Sequence, residues 1–320
     1  MHRLTQNDVT NRINVESVAA VEDAVCGLFG QRFPDLELAG LRRAFHDAAR
    51  LFAGTFSGYL GCDTPYHDFR HTLDVALAMA RLIDGHERSK PPHERIGKRR
   101  ALLGMVVALF HDSGYMRRTD ESSVVSGAIF TAVHVSRGAQ FLTTYLPSIG
   151  LDDMVPLAEQ LIHFTGYEQA LSSLRYGDAR DQAVGCMLGA ADLIAQMSDR
   201  TYLEKCREFL FAEFVHGGLN RRVGKNGALE IVYATPTELL EKTPAFFDQA
   251  VNERIEKGLD AAHHLAEIHF GGVNLYRDAM NTNRRFLDQA LARTLEDLKR
   301  RPYSVLSDRH PGYGENGESS

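Results

Sequence analysis

Histidines and aspartates stand inside apolar stretches of this 320-residue chain at several well-separated places. A buried imidazole or carboxylate is costly unless it is hydrogen-bonded, ion-paired or bound to a metal. The candidate metal ligands on this ground are His71, His111, Asp112, His134, His163 and Asp192. Imidazole and carboxylate form a donor set for divalent metals, here Mn, Mg, Zn or Fe. The order H, HD, H, H, D predicts enough ligands for two such ions.

The pair His111-Asp112 closes an apolar run that begins at Ala101, and the Gly114 that follows predicts a helix end. Adjacent residues cannot share one helical face, but at a helix terminus both side chains can converge on one ion. Asp112 can then bridge two ions. The alternative is a structural histidine with a capping aspartate. Asp192, in the middle of an apolar segment, must find a cation or become protonated.

His67 and His71 are four residues apart at the start of a predicted helix, so they lie on one face. Asp74, one turn after His71, is placed either to orient a ligand histidine or to lie on a solvated helix face. His134 and His163, taken singly, are equally compatible with satisfied core histidines. They are interpreted as ligands only because they occur together with the other four candidate ligands.

The elements that position these residues are predicted to be helices, because apolar residues recur at helical spacing in most of the chain. The predicted helical blocks are 15–31, 38–58, 69–84, 98–111, 124–146, 152–163, 181–197, 200–215 and, less regularly, 236–298. Residues 228–235 favour a short strand or an extended loop. We therefore predict an all-α bundle forming one domain over 1–320. Its metal-site core spans about 60–215, and a polar, Gly-rich flexible tail spans about 307–320.

Composition narrows the class of protein further. A formal net charge of -6 argues against a surface built for nucleic acid or anionic lipid. The first twenty residues lack the apolar region of a signal peptide, and the chain has no apolar run long enough to span a bilayer, so we expect a cytosolic protein. Cys26, Cys62, Cys186 and Cys206 are widely spaced, which favours free thiols. The helices before residue 60 could cover the core or form a homodimer contact.

The order of these residues resembles the HD superfamily of metal-dependent phosphohydrolases, over roughly residues 60–215. The segments most similar to cyclic-nucleotide phosphodiesterases are Tyr66-His67 with His71, Asp74 and Val75, then His111-Asp112, and then Ala190-Ala191-Asp192-Leu193. The resemblance implies an HD-domain helical bundle with additional N- and C-terminal helices. It also implies that His71, His111, Asp112 and Asp192 bind the metal, and that His67 is the general acid. Residues 199–214 resemble the helix that follows the family's late aspartate.

The chain also departs from the phosphodiesterase pattern. Residues 113–117 read Ser-Gly-Tyr-Met-Arg where that family has Val-Asp-His-Pro-Gly, and Asp68 stands where it usually has Asn. Asn274, Asn281 and Gln289 give no secure match to the purine-binding glutamine. His134 and His163 instead resemble the extra ligands of HD-GYP cyclic-dinucleotide phosphodiesterases, without the Gly-Tyr-Pro motif. The six-ligand order is also similar to that of HD-domain di-iron oxygenases.

The predicted reaction is hydrolysis of a cyclic nucleotide, most simply a 3',5'-cyclic mononucleotide, by hydroxide formed from a water that bridges two metal ions sharing Asp112. His67 would protonate the departing ribose oxygen. Arg117 and Arg118 are candidates for a phosphate contact, or for surface ion pairs with Asp120 or Glu121. The alternatives are another HD phosphohydrolase, a di-iron oxygenase, and an idle HD module that senses a ligand. His67 favours hydrolysis, because expulsion of an alkoxide gains most from a proton donor.

Overall fold

Each predicted helical block contains a helix in the computed structural model, which describes residues 3–224, 227–295 and 298–299. The helices in the blocks 38–58, 124–146 and 152–163 are shorter than predicted. The helices are α1 Val18–Arg32, α2 Ala39–Phe52, α3 Phe69–Ser89, α4 Gly97–Phe110, α5 His134–Tyr145, α6 Val155–Leu161, α7 Ala179–Ser198, α8 Tyr202–Lys205, α9 Phe211–His216, α10 Pro236–Gln249, α11 Leu265–His269 and α12 Leu275–Ala292. The prediction of an all-α fold is confirmed. The tail predicted at 307–320 lies outside the described residues.

One small antiparallel hairpin interrupts the helices. Strand β1, Arg221–Val223, pairs with β2, Leu229–Ile231, in the register Arg221 to Ile231 and Val223 to Leu229. Residues 228–235, predicted as a short strand or an extended loop, thus contain the short strand Leu229–Ile231 followed by a loop. The two strands are three residues each, too short for β1 to show an alternating pattern in the sequence.

Helices α3 and α7 form the centre of the core. Helix α3 packs against α1, α4, α7 and α11, and α7 also packs against α12. Between Arg70 and Glu87, only Asp74 is not buried. A helix enclosed on all sides needs apolar residues around its whole circumference, which explains why α3 and α7 read as near-continuous Ala, Leu, Val and Met. Asp192 belongs to the stretch of α7 from Val184 to Ser198 that is buried except at Gln196.

The start of α3 is fixed by Asp68. Its Oδ1 accepts a hydrogen bond from the backbone N–H of His71 at 2.8 Å. Asp and Asn cap helices equally well, so the departure from the phosphodiesterase pattern at this position preserves the local structure. The cap sets the register at which His71 enters the core.

The block predicted as one helix at 200–215 is divided by a π-helical segment, Cys206–Leu210, between α8 and α9. A π turn inserts an extra residue and changes which side chains face inward beyond it. Glu213, on α9, is 1% exposed. A second π-helical segment, Ala250–Gly258, follows α10.

Within the described part of the chain, none of the helices has the length and apolar content needed to cross a bilayer. One hydrophobic cluster extends from Val15 to Leu298. The four cysteines are unpaired, as predicted, and Cys26, Cys186 and Cys206 are buried.

Candidate metal centre

The pair His111 and Asp112 lies just beyond the end of α4, deep in the core. The Nδ1 of His111 is 2.8 Å from the carbonyl oxygen of Ala108, so its N–H donates there and Nε2 is the nitrogen that faces the centre. This Nε2 is 3.2 Å from Asp112 Oδ2. Both atoms are buried, and neither has a hydrogen-bond partner among the described residues. Such atoms are costly to bury, and a cation between them would satisfy both.

Helices α3 and α7 bring two further predicted ligands to the same point. His71 Nε2 lies 3.1 Å from Asp192 Oδ1 and 3.8 Å from Asp112 Oδ2. His111 Nε2 lies 3.7 Å from Asp192 Oδ1. The ligand atoms of His71, His111 and Asp112 are all within 4.8 Å of one another. Four predicted residues from three separate segments of the sequence thus converge at one site.

His134, the first residue of α5, approaches the opposite oxygen of Asp112. Its Nδ1 is 2.7 Å from the carbonyl oxygen of Thr131, and its Nε2 is 4.0 Å from Asp112 Oδ1. The turn after His111 can lie against α5 because residue 114 is glycine; a Cβ there would stand 1.8 Å from the carbonyl oxygen of His134. Asp112 therefore lies between His71 and His111 on one side and His134 on the other, as a bridging carboxylate would.

His163 does not join this centre. It lies in the 3-10 turn Ile162–Phe164 after α6, with its Nε2 3.1 Å from Gln169 Nε2. None of the ion pairs between described side chains links His163 to Asp112 or Asp192. Its Nδ1 is buried without a hydrogen-bond partner among the described residues, so His163 is a core histidine that is only partly satisfied. His163 therefore lies outside the group of side chains that meet at Asp112.

Asp112 gives the centre its negative charge. Burial opposes ionisation of this carboxyl, yet His111, His67 and His71 together hold its pKa well below the usual range. Burial likewise opposes protonation of His111, but the charge of Asp112 raises the pKa of His111 to about 9. The pKa of His134 is lowered by burial. Asp112 is therefore held as a carboxylate, the form in which it can bind a cation.

His67 lies beside the centre and is held by a residue that the sequence did not reveal. Its Nδ1 is 2.6 Å from Glu213 Oε2, while Glu213 Oε1 accepts hydrogen bonds from the backbone N–H groups of Tyr66 at 2.5 Å and His67 at 3.3 Å. Burial opposes a charge on His67, but the carboxylate of Glu213 outweighs it and raises the pKa of His67. The available signal was a glutamate within the apolar run 209–214.

Tyr115 fixes the rings of two histidines. Its ring is stacked on His67 and on His134, with centroids 4.5 Å apart in both cases and interplanar angles of 19° and 20°. Tyr115 is 2% exposed. It stands where the phosphodiesterases have a histidine, so the departure at 113–117 replaces an imidazole with an aromatic spacer between His67 and His134.

A cavity of about 510 Å³ opens beside the centre, a size suited to a small molecule. The candidate catalytic and ligand residues in its wall are His67, His71, Asp112, His134 and Asp192. The rest of the wall is largely apolar and includes Tyr167, Leu210, Phe214, Tyr233, Leu239 and Phe246. The cavity thus joins the polar centre to an aromatic surface.

Arg117 and Arg118 are absent from this wall. Arg117 forms an ion pair with Asp63 at 2.8 Å, and Arg118 lies 3.4 Å from Asp120 and 3.3 Å from Glu121. The surface ion pairs considered from the sequence are present for Arg118, and Arg117 has a different acidic partner. Their predicted phosphate contact is not supported by this placement.

Asp74 and His71 both line a separate cavity of about 10 Å³, which has room for about one water molecule. Burial raises the pKa of Asp74 to about 7, against the opposing charge of Arg70. His71 and Asp74 thus face the same small cavity, as the predicted orienting role of Asp74 requires.

The fold and the site together define an all-helical protein with a buried histidine and aspartate centre suited to a metal ion. The chain belongs to the Npun_R2479-like family, whose model matches residues 52–283. The matched region contains the whole centre, the cavity wall and Glu213. No curated protein matches the chain in sequence.

Replacing Glu213 with glutamine should lower the pKa of His67, because a neutral amide removes the charge that raises it. Since the carboxylate raises the pKa of His67, the protonated form should disappear at lower pH in Glu213→Gln than in the parent. The pH dependence of the His67 ring signals in NMR measures this shift. Glu208→Gln, one turn earlier and paired with Arg207, is the matched control. An unchanged titration of His67 in Glu213→Gln would contradict the assignment.

Proposed function

We propose that this protein is a divalent-metal-dependent phosphodiesterase of the HD type that hydrolyses a cyclic nucleotide, most simply a 3',5'-cyclic mononucleotide. The observation that carries the proposal is the pairing, in one cavity wall, of the His71, Asp112 and Asp192 side chains with the Glu213-held imidazole of His67. Metal ligands of this kind, by themselves, are compatible with several classes of reaction. A charged imidazole beside it suits a reaction that expels a basic oxygen.

The residues of the centre fit a metal, because His111 Nε2 and Asp112 Oδ2 are buried without hydrogen-bond partners among the described residues. His71, His111, Asp112 and Asp192 would hold one ion, and Asp112 with His134 would hold a second. When bound, divalent ions at such a site activate water and neutralise phosphoryl charge. Manganese, magnesium, zinc and iron are all compatible with this donor set.

His67 supplies the proton for the leaving oxygen. Its Nδ1–H donates to Glu213, so the proton on Nε2 is the one available to a substrate in the cavity. Stacking on Tyr115 holds the ring in this orientation. A ribose alkoxide is a poor leaving group, and a positioned general acid typically contributes ~10²–10⁴-fold to such a step.

The apolar wall supports a nucleotide as the substrate. Phe214, Tyr233 and Phe246 offer aromatic surface within the same cavity as the centre. A nucleobase stacks on such rings while its phosphate occupies a charged site a few ångströms away. We also propose the cytosol as the compartment, because four unpaired cysteines suit reducing conditions.

Substrate screening tests the proposal. Manganese-loaded protein should convert a 3',5'-cyclic mononucleotide to the nucleoside monophosphate, and a chelator should abolish the activity until metal is restored. Arg118→Ala, on the surface outside the cavity, serves as the control and should keep full activity. If the protein hydrolysed only cyclic dinucleotides, it would still be a phosphodiesterase, but the proposed substrate would be wrong.

Two results would overturn the reaction class itself. Iron content with oxygen consumption would identify an oxygenase, and nucleotide binding without turnover would identify a sensing module. Cyclic mononucleotides, cyclic dinucleotides and nucleoside phosphates should therefore be assayed for both binding and cleavage.

A further inference from the structure

A second group of potential metal ligands lies in the C-terminal third of the chain. Glu256 belongs to the π-helical segment Ala250–Gly258, and His263 and His264 belong to the 3-10 turn Ala262–His264. One ligand atom from each of the three lies within 4.8 Å of the others. None of the three lines the 510 Å³ cavity described above.

The spacing of these atoms suits an ion better than direct hydrogen bonds. His263 Nε2 is 3.5 Å from Glu256 Oε1, and His264 Nε2 is 3.7 Å from Glu256 Oε2. Both distances exceed the usual range of a hydrogen bond. Around a tetrahedral zinc ion with bonds of about 2.0–2.1 Å, neighbouring ligand atoms stand about 3.3 Å apart. The three ligand atoms lie within 4.8 Å of one another, so they would have to approach one another by up to ~1.5 Å to reach this spacing.

The imidazole of His264 is oriented as a metal ligand, whereas Nδ1 of His263 is buried without a hydrogen-bond partner among the described residues. The Nδ1–H of His264 donates to Glu267 Oε1 at 2.8 Å, which directs the Nε2 lone pair toward Glu256. A carboxylate behind a histidine is the usual support of a metal-bound imidazole. His263 is 3% exposed, and its ring centroid is 4.1 Å from that of His264. Two imidazoles this close disfavour being charged together, which leaves lone pairs available.

The backbone that presents these histidines is unusual. Asp260 and Ala261 have φ values of 51° and 50°, in the left-handed region that non-glycine residues rarely adopt. This reversal places His263 and His264 opposite Glu256. A metal ion bound by Glu256 before this reversal and by the two histidines after it would offset the free-energy cost of the left-handed backbone.

We propose that Glu256, His263 and His264 bind a zinc ion, with water in the fourth position. Two imidazoles and one carboxylate form a donor set that zinc accepts readily. The bound ion ties the π-helical segment to the turn before α11. This site is independent of the phosphodiesterase proposal, because it shares no residue with the first centre.

Zinc binding to the full chain, measured by equilibrium dialysis and elemental analysis, tests this site. His264→Ala and Glu256→Gln should each bind one zinc fewer per chain than the parent. Both side chains are partly exposed, so these variants avoid replacing the buried His263. Glu267→Gln should keep the stoichiometry with zinc affinity ~10–100-fold weaker. His46→Ala removes an exposed histidine paired with a single glutamate and should change nothing.

Cobalt(II) provides a second readout. A tetrahedral cobalt site absorbs strongly in the visible range, and this absorbance should be lost in His264→Ala but retained in Asp112→Ala. Circular dichroism confirms that each variant is folded. Equal zinc stoichiometry and affinity in the parent, His264→Ala and Glu256→Gln would overturn the proposal.

Discussion

Replacing His67 with alanine reduces turnover of a cyclic nucleotide by ~10²–10⁴-fold while the bound metal content stays that of the parent. The reason is geometric. His67 Nδ1 is bound to Glu213, and none of the ion pairs between described side chains joins His67 to Asp112 or Asp192. Its loss therefore removes a proton donor without removing a ligand. Steady-state kinetics and elemental analysis on the same preparation check both halves of the prediction.

The leaving group distinguishes this role from a structural one. A p-nitrophenyl phosphodiester releases a weakly basic phenolate that needs little protonation, so His67→Ala should lose far less activity on it than on a cyclic nucleotide. His216→Ala, an exposed histidine on the same helix as Glu213, is the control and should behave as the parent. Full activity of His67→Ala on the cyclic nucleotide would show that His67 is not the general acid. Equal losses of activity on both substrates would show that His67 positions the substrate instead of donating a proton.

Replacing Asp112 with alanine should strip the metal and reduce turnover to background. Asp112 Oδ2 faces His71 and His111, while Oδ1 faces His134, so one substitution removes the charge shared by both halves of the centre. Metal content after dialysis measures the effect. Retention of both ions of this centre, apart from any zinc at Glu256, His263 and His264, would contradict the bridging assignment.

Matched variants sharpen this experiment. His134→Ala should lose one ion and keep the other, because His71, His111 and Asp192 remain in place. His163→Ala should keep both, since His163 contacts Gln169 rather than the carboxylates. Loss of metal in His163→Ala would restore the six-ligand arrangement predicted from the sequence.

The helices and the first ligands could be predicted because their signals are local. Helix α3 falls within one residue of its predicted start, and the apolar run before His111 marks α4 directly. The block at 124–146 was wrong in its first half, where the turn Gly127–Phe130 precedes an α5 that begins only at His134. Ser126 accepts from the N–H of Ala128 and starts this short turn instead of a long helix.

The remaining features depend on contacts between distant segments. His67 and Glu213 are 146 residues apart, and the π-helical segment that turns Glu213 inward has no distinct sequence signature. His134 and His163 have similar apolar contexts, yet only His134 reaches Asp112. A pattern of buried histidines can therefore nominate ligands, whereas tertiary packing decides which of them share an ion.

The central claim is that the side chains of His71, His111, Asp112 and Asp192 hold a divalent ion. Anomalous scattering from crystals of the manganese-loaded protein tests it most directly. We expect a manganese peak within bonding distance of His71 Nε2, His111 Nε2 and a carboxylate oxygen of Asp112. Well-ordered side chains at this point with no anomalous peak between them, in crystals that bind manganese elsewhere, would contradict it.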